Sequence, residues 1–363
     1  MKIILDLQYQ HMLQLPLTIE DMNRLPGSSW VNILHEMLAT LNHELYLSAD
    51  INTKQDIRGA LLISEMFTEY TGQLIKRGAI PFLVFSQESP NISKTFYNSY
   101  AEKYNFRNAY LFPGSFNFFG SLPTNINLFW PNSTISLPIS PVHKDIFIGM
   151  IASNKQIFNK RFAFLPTKAE QLIKGFIWKK YYQKLDKVGY IDLYEMRLQA
   201  IEYFSTFRDF SLYGRGWNNM NTLSKSLFDK IQKIGAVEIV SKMETLGRMK
   251  FSVCFENFKF PGYITEKIFD CFLAGSIPIY LGAPDISDYV PVNAFIDMRK
   301  FSSFDDVNAY IRSLTEDQIV ALRDAGQQFL NSSDYKKFTD EAFSENILHL
   351  ILTSETSLTS KAE

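Results

Sequence analysis

The sequence predicts an α/β protein built from parallel β-sheets with helices on both faces, and three observations support this prediction. Short runs rich in β-branched and aromatic residues alternate with longer segments whose apolar residues recur at helical spacing. Apolar residues make up 46% of the chain, including 31 Phe and 18 Tyr, which is enough for a substantial core. The length of 363 residues suits two α/β domains of ordinary size or one large domain.

The predicted strands fall into two series along the chain. The first series is 2–7, 45–48, 60–63, 80–85 and 109–112, and the second is 146–151, 210–213, 237–239, 252–255, 277–281 and 294–297. Helices are predicted between them at 30–42, 64–77, 168–188, 193–207 and 265–274. Strands that alternate with helices in this way are typical of parallel sheets.

A change in composition separates the two series. Residues 112–142 are rich in Pro, Asn, Ser and Phe and carry few helix signals, as expected of a loop-rich connection between domains. We therefore predict an N-terminal domain at 1–142 and a C-terminal domain at 143–352. The small polar residues at 353–363 are predicted to form a flexible, frayed tail.

Charge and cysteine content argue against several classes of function. Lys and Arg total 37 and Asp and Glu total 38, and the net charge of −1 argues against a broad electrostatic grip on nucleic acid. The only cysteines are Cys254 and Cys271, which we expect to be small core residues. Since the chain has five His and no Cys/His cluster at ligand spacing, no metal site is expected.

Hydropathy bears on the relation to membranes. No run reaches the roughly 18 apolar residues that a spanning helix needs, and polar residues soon interrupt the first apolar run, so we expect no secretory signal. We expect a soluble, cytoplasmic protein. The predicted helix at 168–188 interleaves lysines with aromatic residues, a pattern that suits either peripheral contact with an anionic membrane or a solvated basic face.

The segment 251–282 is predicted to run strand, loop, helix, turn and strand. Pro261 and Gly262 interrupt the chain after the first strand, and Thr265 is a favourable N-cap for the helix. Apolar residues at helical spacing form the buried face of this helix, and Gly275 suits the position after its last turn.

Lys267 falls in the first turn of this helix, where a cation opposes the helix macrodipole. The placement is favourable when an anion binds at the helix N-terminus, so backbone N–H groups and Lys267 are predicted to hold a diphosphate. Glu266 is a candidate acceptor for ribose hydroxyls, and Tyr263 is a candidate to stack on a nucleotide base. The alternative is a solvated Glu–Lys pair at an ordinary helix start.

Segments of this region resemble the signature of glycosyltransferase family 10, the α-1,3/1,4-fucosyltransferases. They are Phe255-Glu256-Asn257, Gly262-Tyr263-Ile264-Thr265-Glu266-Lys267, Ile277-Pro278-Ile279-Tyr280-Leu281-Gly282, Tyr289-Val290-Pro291 and Phe295-Ile296-Asp297. The resemblance covers about 147–301, whereas the N-terminal half resembles the family only thinly.

The resemblance implies a GT-B fold, in which two Rossmann-like domains face a cleft. The N-terminal domain is then expected to bind the acceptor and the C-terminal domain the nucleotide sugar. It also implies inverting transfer of fucose from GDP-fucose with no cofactor and no essential metal. The sequence contains no Asp-x-Asp triplet, the usual metal anchor of the other large glycosyltransferase fold. The donor-binding residues implied in the signature are Glu256, Asn257, Tyr263, Thr265, Glu266 and Lys267.

Further matches to the family assign donor-binding residues one by one. Ser153 and Asn154, after the predicted strand 146–151, resemble a turn that touches the nucleotide sugar. Arg197 resembles an arginine that pairs with the diphosphate, a task for which its planar fork is suited, and the alternative is an exposed helix arginine. Tyr213 and Gly214 resemble a family turn that approaches the donor closely, although a plain tight turn fits equally well.

The candidate catalytic residue lies in the other predicted domain. Glu88-Ser89-Pro90 follows the predicted strand 80–85 and resembles the family motif that carries the proposed general base. An inverting transfer needs one carboxylate to take the proton of the attacking hydroxyl. Glu88 is therefore assigned this role, with a turn residue before Pro90 as the alternative.

The functional hypothesis is transfer of fucose to a hydroxyl of a surface glycan, of the lipopolysaccharide or N-acetyllactosamine type, by a bacterial protein. Phe258 stands where many family members have Ser, so the acceptor is left open. The alternatives are a transferase of a different sugar on the same fold and a non-catalytic glycan-binding relative. A dinucleotide oxidoreductase is disfavoured because no Gly-x-Gly-x-x-Gly turn follows the first strand.

Overall fold

The protein is described by a computed structural model that divides into two compact units. The first comprises Met1–Ile135, Pro261–Tyr263 and Tyr335–Glu363, and the second comprises Ser136–Phe260 and Ile264–Asp334. The structure describes residues 1–7, 18–24, 27–48, 51, 57–64, 69–90, 92–94, 96–97, 106–115, 125–133, 143–154, 181, 183–219, 223–239 and 241–359.

The first unit is built on a parallel sheet of six strands in the order β2-β1-β3-β4-β5-β6. The strands are β1 (Lys2–Asp6), β2 (Glu44–Leu47), β3 (Ala60–Ser64), β4 (Ile80–Phe85), β5 (Asn108–Leu111) and β6 (Asn125–Asn127). Its helices include α1 (Trp30–Thr40) and α2 (Glu69–Lys76). Every residue of β3 is buried, as expected for a parallel strand covered on both faces.

The second unit contains a parallel sheet of five strands in the order β13-β12-β10-β7-β9 and an antiparallel pair of short strands, β8 and β11. The strands are β7 (Ile146–Ile151), β8 (Ile191–Asp192), β9 (Phe210–Tyr213), β10 (Met249–Phe255), β11 (Phe258–Lys259), β12 (Ile277–Leu281) and β13 (Ile296–Asp297). The helices are α3 (Tyr194–Phe204), α4 (Lys225–Ile234), α5 (Lys242–Arg248), α6 (Glu266–Leu273), α7 (Phe304–Ser313) and α8 (Glu316–Leu330).

The core of the second unit lies between this sheet and its helices. Ile148, Phe251 and Ile279 on the central strands pack with Phe204 of α3 and Ile311 of α7 in one buried cluster. Burial of apolar area on this scale is the main force that holds such a sheet to its helices. Both cysteines are buried, as predicted.

The C-terminal segment differs from the predicted domain bounds in two respects. Helix α9 spans Asp340–Thr359, so the tail predicted at 353–363 is helical to Thr359, and 360–363 lie outside the described residues. The residues from Tyr335 onward group with the first unit and not with the predicted C-terminal domain. The physical reason is an aromatic contact, because Phe343 packs against Trp30 and Tyr110 with ring centroids 4.8 Å apart in each pair.

Most predicted strands appear within two residues of their expected bounds, but one predicted strand is wrong. The predicted strand 237–239 is reduced to one isolated bridge between Val237 and Tyr213. The predicted interdomain connection contains β6, whose three residues pair with β5. Of the predicted helix 168–188, only 181 and 183–188 are described, and 183–187 are helical. Within the described part of the chain, no helix combines the length and the apolar character that crossing a membrane requires.

Candidate active site

The predicted site in the second unit gathers at the carboxyl edge of the parallel sheet. Ser153 and Asn154 follow β7, Gly214 follows β9, and Glu256 follows β10. Because β10, β7 and β9 are neighbours in the sheet, these strand ends lie side by side. Ligands of open α/β sheets bind at this edge, which makes it the candidate donor site.

Glu256 is the buried centre of this edge. Its side chain is 0% exposed, and its carboxylate accepts hydrogen bonds from the Thr265 N–H at 2.9 Å and from the Thr265 hydroxyl at 2.8 Å. Lys267 Nζ donates to the same carboxylate at 3.0 Å. A carboxylate without water is costly to bury unless it is paired and hydrogen-bonded, and these contacts meet that need. Glu256 therefore fastens the end of β10 to the start of α6.

Thr265 is the N-cap of α6, as predicted, but its side chain does not cap a helix amide. Its hydroxyl points to Glu256 and also accepts a hydrogen bond from Lys267 Nζ at 2.7 Å. Because this hydroxyl bonds Glu256, it does not accept a hydrogen bond from the N–H groups in the first turn of α6. That arrangement suits an anion at the helix N-terminus.

Lys267 is neither a fully solvated cation nor a deeply buried one. Its side chain is 25% exposed, and Nζ lies 3.0 Å from Glu256 and 3.6 Å from Glu266. Burial acts to lower the pKa of Lys267, but the charges of Glu256 and Glu266 outweigh it and raise the pKa above its usual value. Lys267 is thus held as an ammonium ion at the start of α6.

Arg197 is buried, so the interpretation as an exposed helix arginine is wrong. Its Nη2 donates to the carbonyl of Phe255 at 2.6 Å and to Oδ1 of Asn257 at 2.8 Å, and Nε donates to the same carbonyl at 3.2 Å. The guanidinium therefore braces the last residues of β10. Asn257 accepts from Arg197 through its side chain, so both residues shape the sheet edge from within.

The turns after β7 and β9 pack closely on each other. Gly214 has a φ of 130°, and a Cβ there would lie 1.9 Å from the carbonyl oxygen of Ala152. The glycine is therefore required for contact with the backbone before Ser153, whereas the prediction concerned contact with the donor. Asn154 is buried: its Nδ2 donates to the Gly216 carbonyl of the turn at 3.2 Å, and its Oδ1 accepts from the Tyr194 hydroxyl of α3 at 2.6 Å.

The loop Pro261–Tyr263 groups with the first unit. The Gly114 N–H donates to the Pro261 carbonyl at 3.0 Å, and the Tyr263 ring packs edge-on against Phe112 with centroids 5.1 Å apart. Tyr263 is 1% exposed. The predicted stacking of its ring on a nucleotide base is therefore not the contact seen, because the ring is buried against a phenylalanine.

Glu88 follows β4 in the first unit and is half-buried. Its carbonyl accepts from the hydroxyl of Tyr97 at 3.1 Å, and the same hydroxyl lies 3.4 Å from Ser115 Oγ. Ser86 Oγ also donates to this carbonyl at 3.1 Å. These contacts fix the backbone of the loop that carries Glu88. Within the described residues, the buried Ser89 hydroxyl has no hydrogen-bond partner.

Two charged residues of this region were missed by the sequence analysis. Lys242 on α5 forms ion pairs with Asp270 and, at 3.8 Å, with Glu266, both on α6. Burial acts to raise the pKa of Glu266, but the charges of Lys267 and Lys242 outweigh it and lower the pKa to about 2. One signal was available, because Glu266 and Asp270 are four residues apart and share a helix face.

The fold of the chain is the GT-B fold seen in glycosyltransferases. The crystal structure of an α1,3-fucosyltransferase with GDP matches with a TM-score of 0.52 at 15% identity, covering 97% of this chain and 89% of that one. Anabaena Alr3699/HepE in complex with UDP and glucose matches with a TM-score of 0.55 at 10% identity, covering 97% and 100%. At these identities the likeness concerns the fold alone, and it confirms the predicted fold class.

The family resemblance is likewise confirmed: residues 179–323 match the family model of the C-terminal region of glycosyltransferase family 10 (fucosyltransferase). The α-(1,3)-fucosyltransferase FucT of Helicobacter pylori is 34% identical over 100 residues, which are 28% of this chain and 21% of that protein. An α-(1,4)-fucosyltransferase of Arabidopsis thaliana is 38% identical over 74 residues, 20% of this chain and 18% of that protein. The chain thus matches about a fifth of the length of these relatives.

Proposed function

We propose that the chain is an inverting α-1,3-fucosyltransferase that moves fucose from GDP-fucose to a hydroxyl of a surface glycan. The observation that carries the proposal is the start of α6, where a family 10 segment places Lys267 and a helix N-terminus at the carboxyl edge of the sheet. Helix N-termini and lysine ammonium groups both bind phosphate. Relatives that match part of the chain include fucosyltransferases of Helicobacter pylori and Arabidopsis thaliana.

The proposed reaction is a single in-line displacement. Glu88 takes the proton of the acceptor hydroxyl, and the hydroxyl oxygen forms a bond to the anomeric carbon as the bond to the β-phosphate oxygen breaks. The electron pair leaves with GDP, whose charge Lys267 and the N–H groups of α6 stabilise. Arg197 and Glu256 hold the sheet edge and the helix start in place, through the contacts to Phe255, Asn257 and Thr265.

We further propose the acceptor, the metal requirement and the cellular location of the protein. The acceptor is a lipopolysaccharide or N-acetyllactosamine-type glycan, no metal is essential, and the protein acts in the cytoplasm or at the inner face of its membrane. Support comes from the family resemblance and from the lack of an Asp-x-Asp triplet. Among the described residues, no group of three or more His, Cys, Asp or Glu is arranged to hold a metal ion.

A transfer assay tests the proposed function. The full chain is incubated with GDP-fucose, GDP-mannose, UDP-galactose or UDP-glucose and a panel of lactosamine and lipopolysaccharide acceptors, with and without EDTA. We expect transfer from GDP-fucose that EDTA does not abolish, and an α-linked product by NMR, inverted from the β-linked donor. Transfer from a UDP sugar in preference to GDP-fucose would replace the donor assignment, and a β-linked product would refute inversion. Glycan binding without any nucleotide binding would identify a non-catalytic relative.

A further inference from the structure

Four charged side chains form one cluster where α5 meets the start of α6. Lys242 pairs with Asp270 and lies 3.8 Å from Glu266, and Lys267 lies 3.6 Å from the same oxygen of Glu266. Glu266 is 35% exposed and Asp270 is 17% exposed. The cluster is therefore anchored at Asp270 and opens to solvent at Glu266.

The helix geometry explains why Lys242 reaches both carboxylates. Glu266 and Asp270 lie one turn apart on α6 and project from the same face. Lys242 is the first residue of α5, and this start is fixed because Ser241 Oγ accepts the N–H of Glu244 at 3.3 Å. The lysine therefore approaches from a backbone position that the cap holds in place.

The cluster also fixes the chemical state of Glu266. Two ammonium groups lie within 4 Å of its carboxylate, and its pKa is lowered to about 2 against the effect of burial, so it is ionised at neutral pH. An ionised carboxylate accepts hydrogen bonds and donates none. It suits a ligand group that donates, such as the hydroxyls of a ribose.

We propose that Lys242 is a positioning residue that orients the Glu266 carboxylate for ribose hydroxyls and thereby sets the discrimination between ribonucleotides and deoxyribonucleotides. The proposal rests on the proposed function, in which GDP occupies this sheet edge. Asp270 shares the role, because it holds the ammonium group of Lys242 between the two carboxylates. Lys267, which Glu256 also holds, is assigned to the diphosphate.

The test compares three nucleotides on the full chain by isothermal titration. GDP, 2′-deoxy-GDP and 3′-deoxy-GDP are titrated into wild-type protein, Lys242→Met and Lys242→Arg. We expect wild type to bind GDP roughly tenfold or more tightly than the deoxy analogue that binds less well, since that analogue loses a hydrogen bond to a charged acceptor. The measured quantity is the ratio of these two affinities. In Lys242→Met this ratio should fall to about threefold or less, and Lys242→Arg should restore most of it.

A matched control separates positioning from stability. Lys250 forms an ion pair with Glu316 at 3.2 Å in the same unit, and neither residue belongs to this cluster, so Lys250→Met removes another lysine–carboxylate pair. It should leave the ratio at its wild-type value. The ratio is internal to each variant, so a loss of folded protein does not change it. If Lys242→Met weakens all three nucleotides equally, the lysine is only structural and the inference is overturned.

The same set of titrations distinguishes this inference from the proposed function. If wild type binds none of the three nucleotides, the proposed function fails at its donor. If wild type binds GDP and the deoxy analogues equally, the donor assignment stands and the role of Glu266 and Lys242 in ribose recognition is refuted. With GDP-fucose as substrate, Lys242→Met should raise KM several-fold and change kcat little, because ribose contacts are the same in the ground state and transition state.

Discussion

At the scale of single residues, the buried carboxylate of Glu256 accounts for the position of Lys267. A cation in the first turn of a helix opposes the macrodipole by about 0.3–1 kcal/mol. The Glu256 carboxylate offsets this cost, since it lies 3.0 Å from Lys267 Nζ. The sequence does not reveal this pair, because a loop separates Glu256 from α6. The same lysine keeps a quarter of its side chain exposed. It can therefore stabilise the helix start and still contact a phosphate.

Replacing Glu88 by Gln tests the role of this residue as the general base. Replacement by Gln keeps the size of the side chain and removes the base, so transfer from GDP-fucose should fall by about 10²–10⁴-fold. GDP affinity should stay at the wild-type value, because the proposed diphosphate ligands lie on α6 of the other unit. The measurement pairs an initial-rate assay with a GDP titration. Glu44→Gln, an exposed glutamate of the same sheet, is the matched control. Near-normal transfer by Glu88→Gln would remove this residue from the base role.

At the scale of elements, the loop that leads into α6 is shaped by a glycine. Gly262 has a φ of 72°, and a Cβ there would lie 2.2 Å from Cδ of Pro113. The loop and the Pro113–Ser115 turn are also joined by the hydrogen bond from Gly114 to Pro261. The packing of this loop on the Pro113–Ser115 turn thus depends on a close contact that only glycine permits.

Gly262→Ala should lower the free energy of unfolding by about 2–4 kcal/mol, from the left-handed backbone and the overpacking together. Gly189→Ala is the matched control, since Gly189 has a φ of 71° and no atom within 4 Å of the added Cβ. Gly189→Ala should lower the free energy of unfolding by about 1–2 kcal/mol, because it adds only the strain of a left-handed backbone. Urea unfolding of the two variants measures the difference. Equal losses would mean that the loop and turn are not packed as described.

The elements that could be predicted are those whose signal is local. Strands β4, β7, β9 and β12 have the predicted bounds because each is a short apolar run between polar residues. Helix α8 was missed although it carries such a signal, the reciprocal capping pair of Thr315 and Gln318. The two-residue strands β8 and β11 exist only by pairing with each other, and no periodicity marks them.

At the scale of the whole molecule, the division into units could not be derived from the order of the chain. Helix α9 follows the second unit in sequence but groups with the first, where Ser344 Oγ donates to the Trp30 carbonyl at 2.9 Å and Asn346 donates to the Tyr110 hydroxyl at 3.1 Å. These contacts join residues more than 200 positions apart. No local pattern encodes them, and the boundary predicted from composition, after residue 352, falls within this helix.

Like the fold, the candidate site could be predicted from the sequence only where its signal is local. Thr265 and Lys267 were named through a contiguous family signature and Arg197 through a separate match. The structure brings the strand and helix ends that carry them to one sheet edge. The ion pairs of Lys242 were not found, because α5 and α6 meet only in the folded chain. The internal roles of Glu256 and Asn257, which bind Lys267 and Arg197, likewise depend on burial that the sequence does not display.

The most direct test of the account is the binding of GDP and guanosine to the full chain with and without Lys267. Isothermal titration should show that wild type prefers GDP to guanosine, and that Lys267→Ala reduces this preference by about tenfold or more, as expected for a charge-assisted contact to phosphate. Lys250→Ala, which removes an exposed ion pair with Glu316, should keep the wild-type preference. An unchanged GDP-to-guanosine preference in Lys267→Ala would contradict the assignment of the α6 start as the diphosphate site.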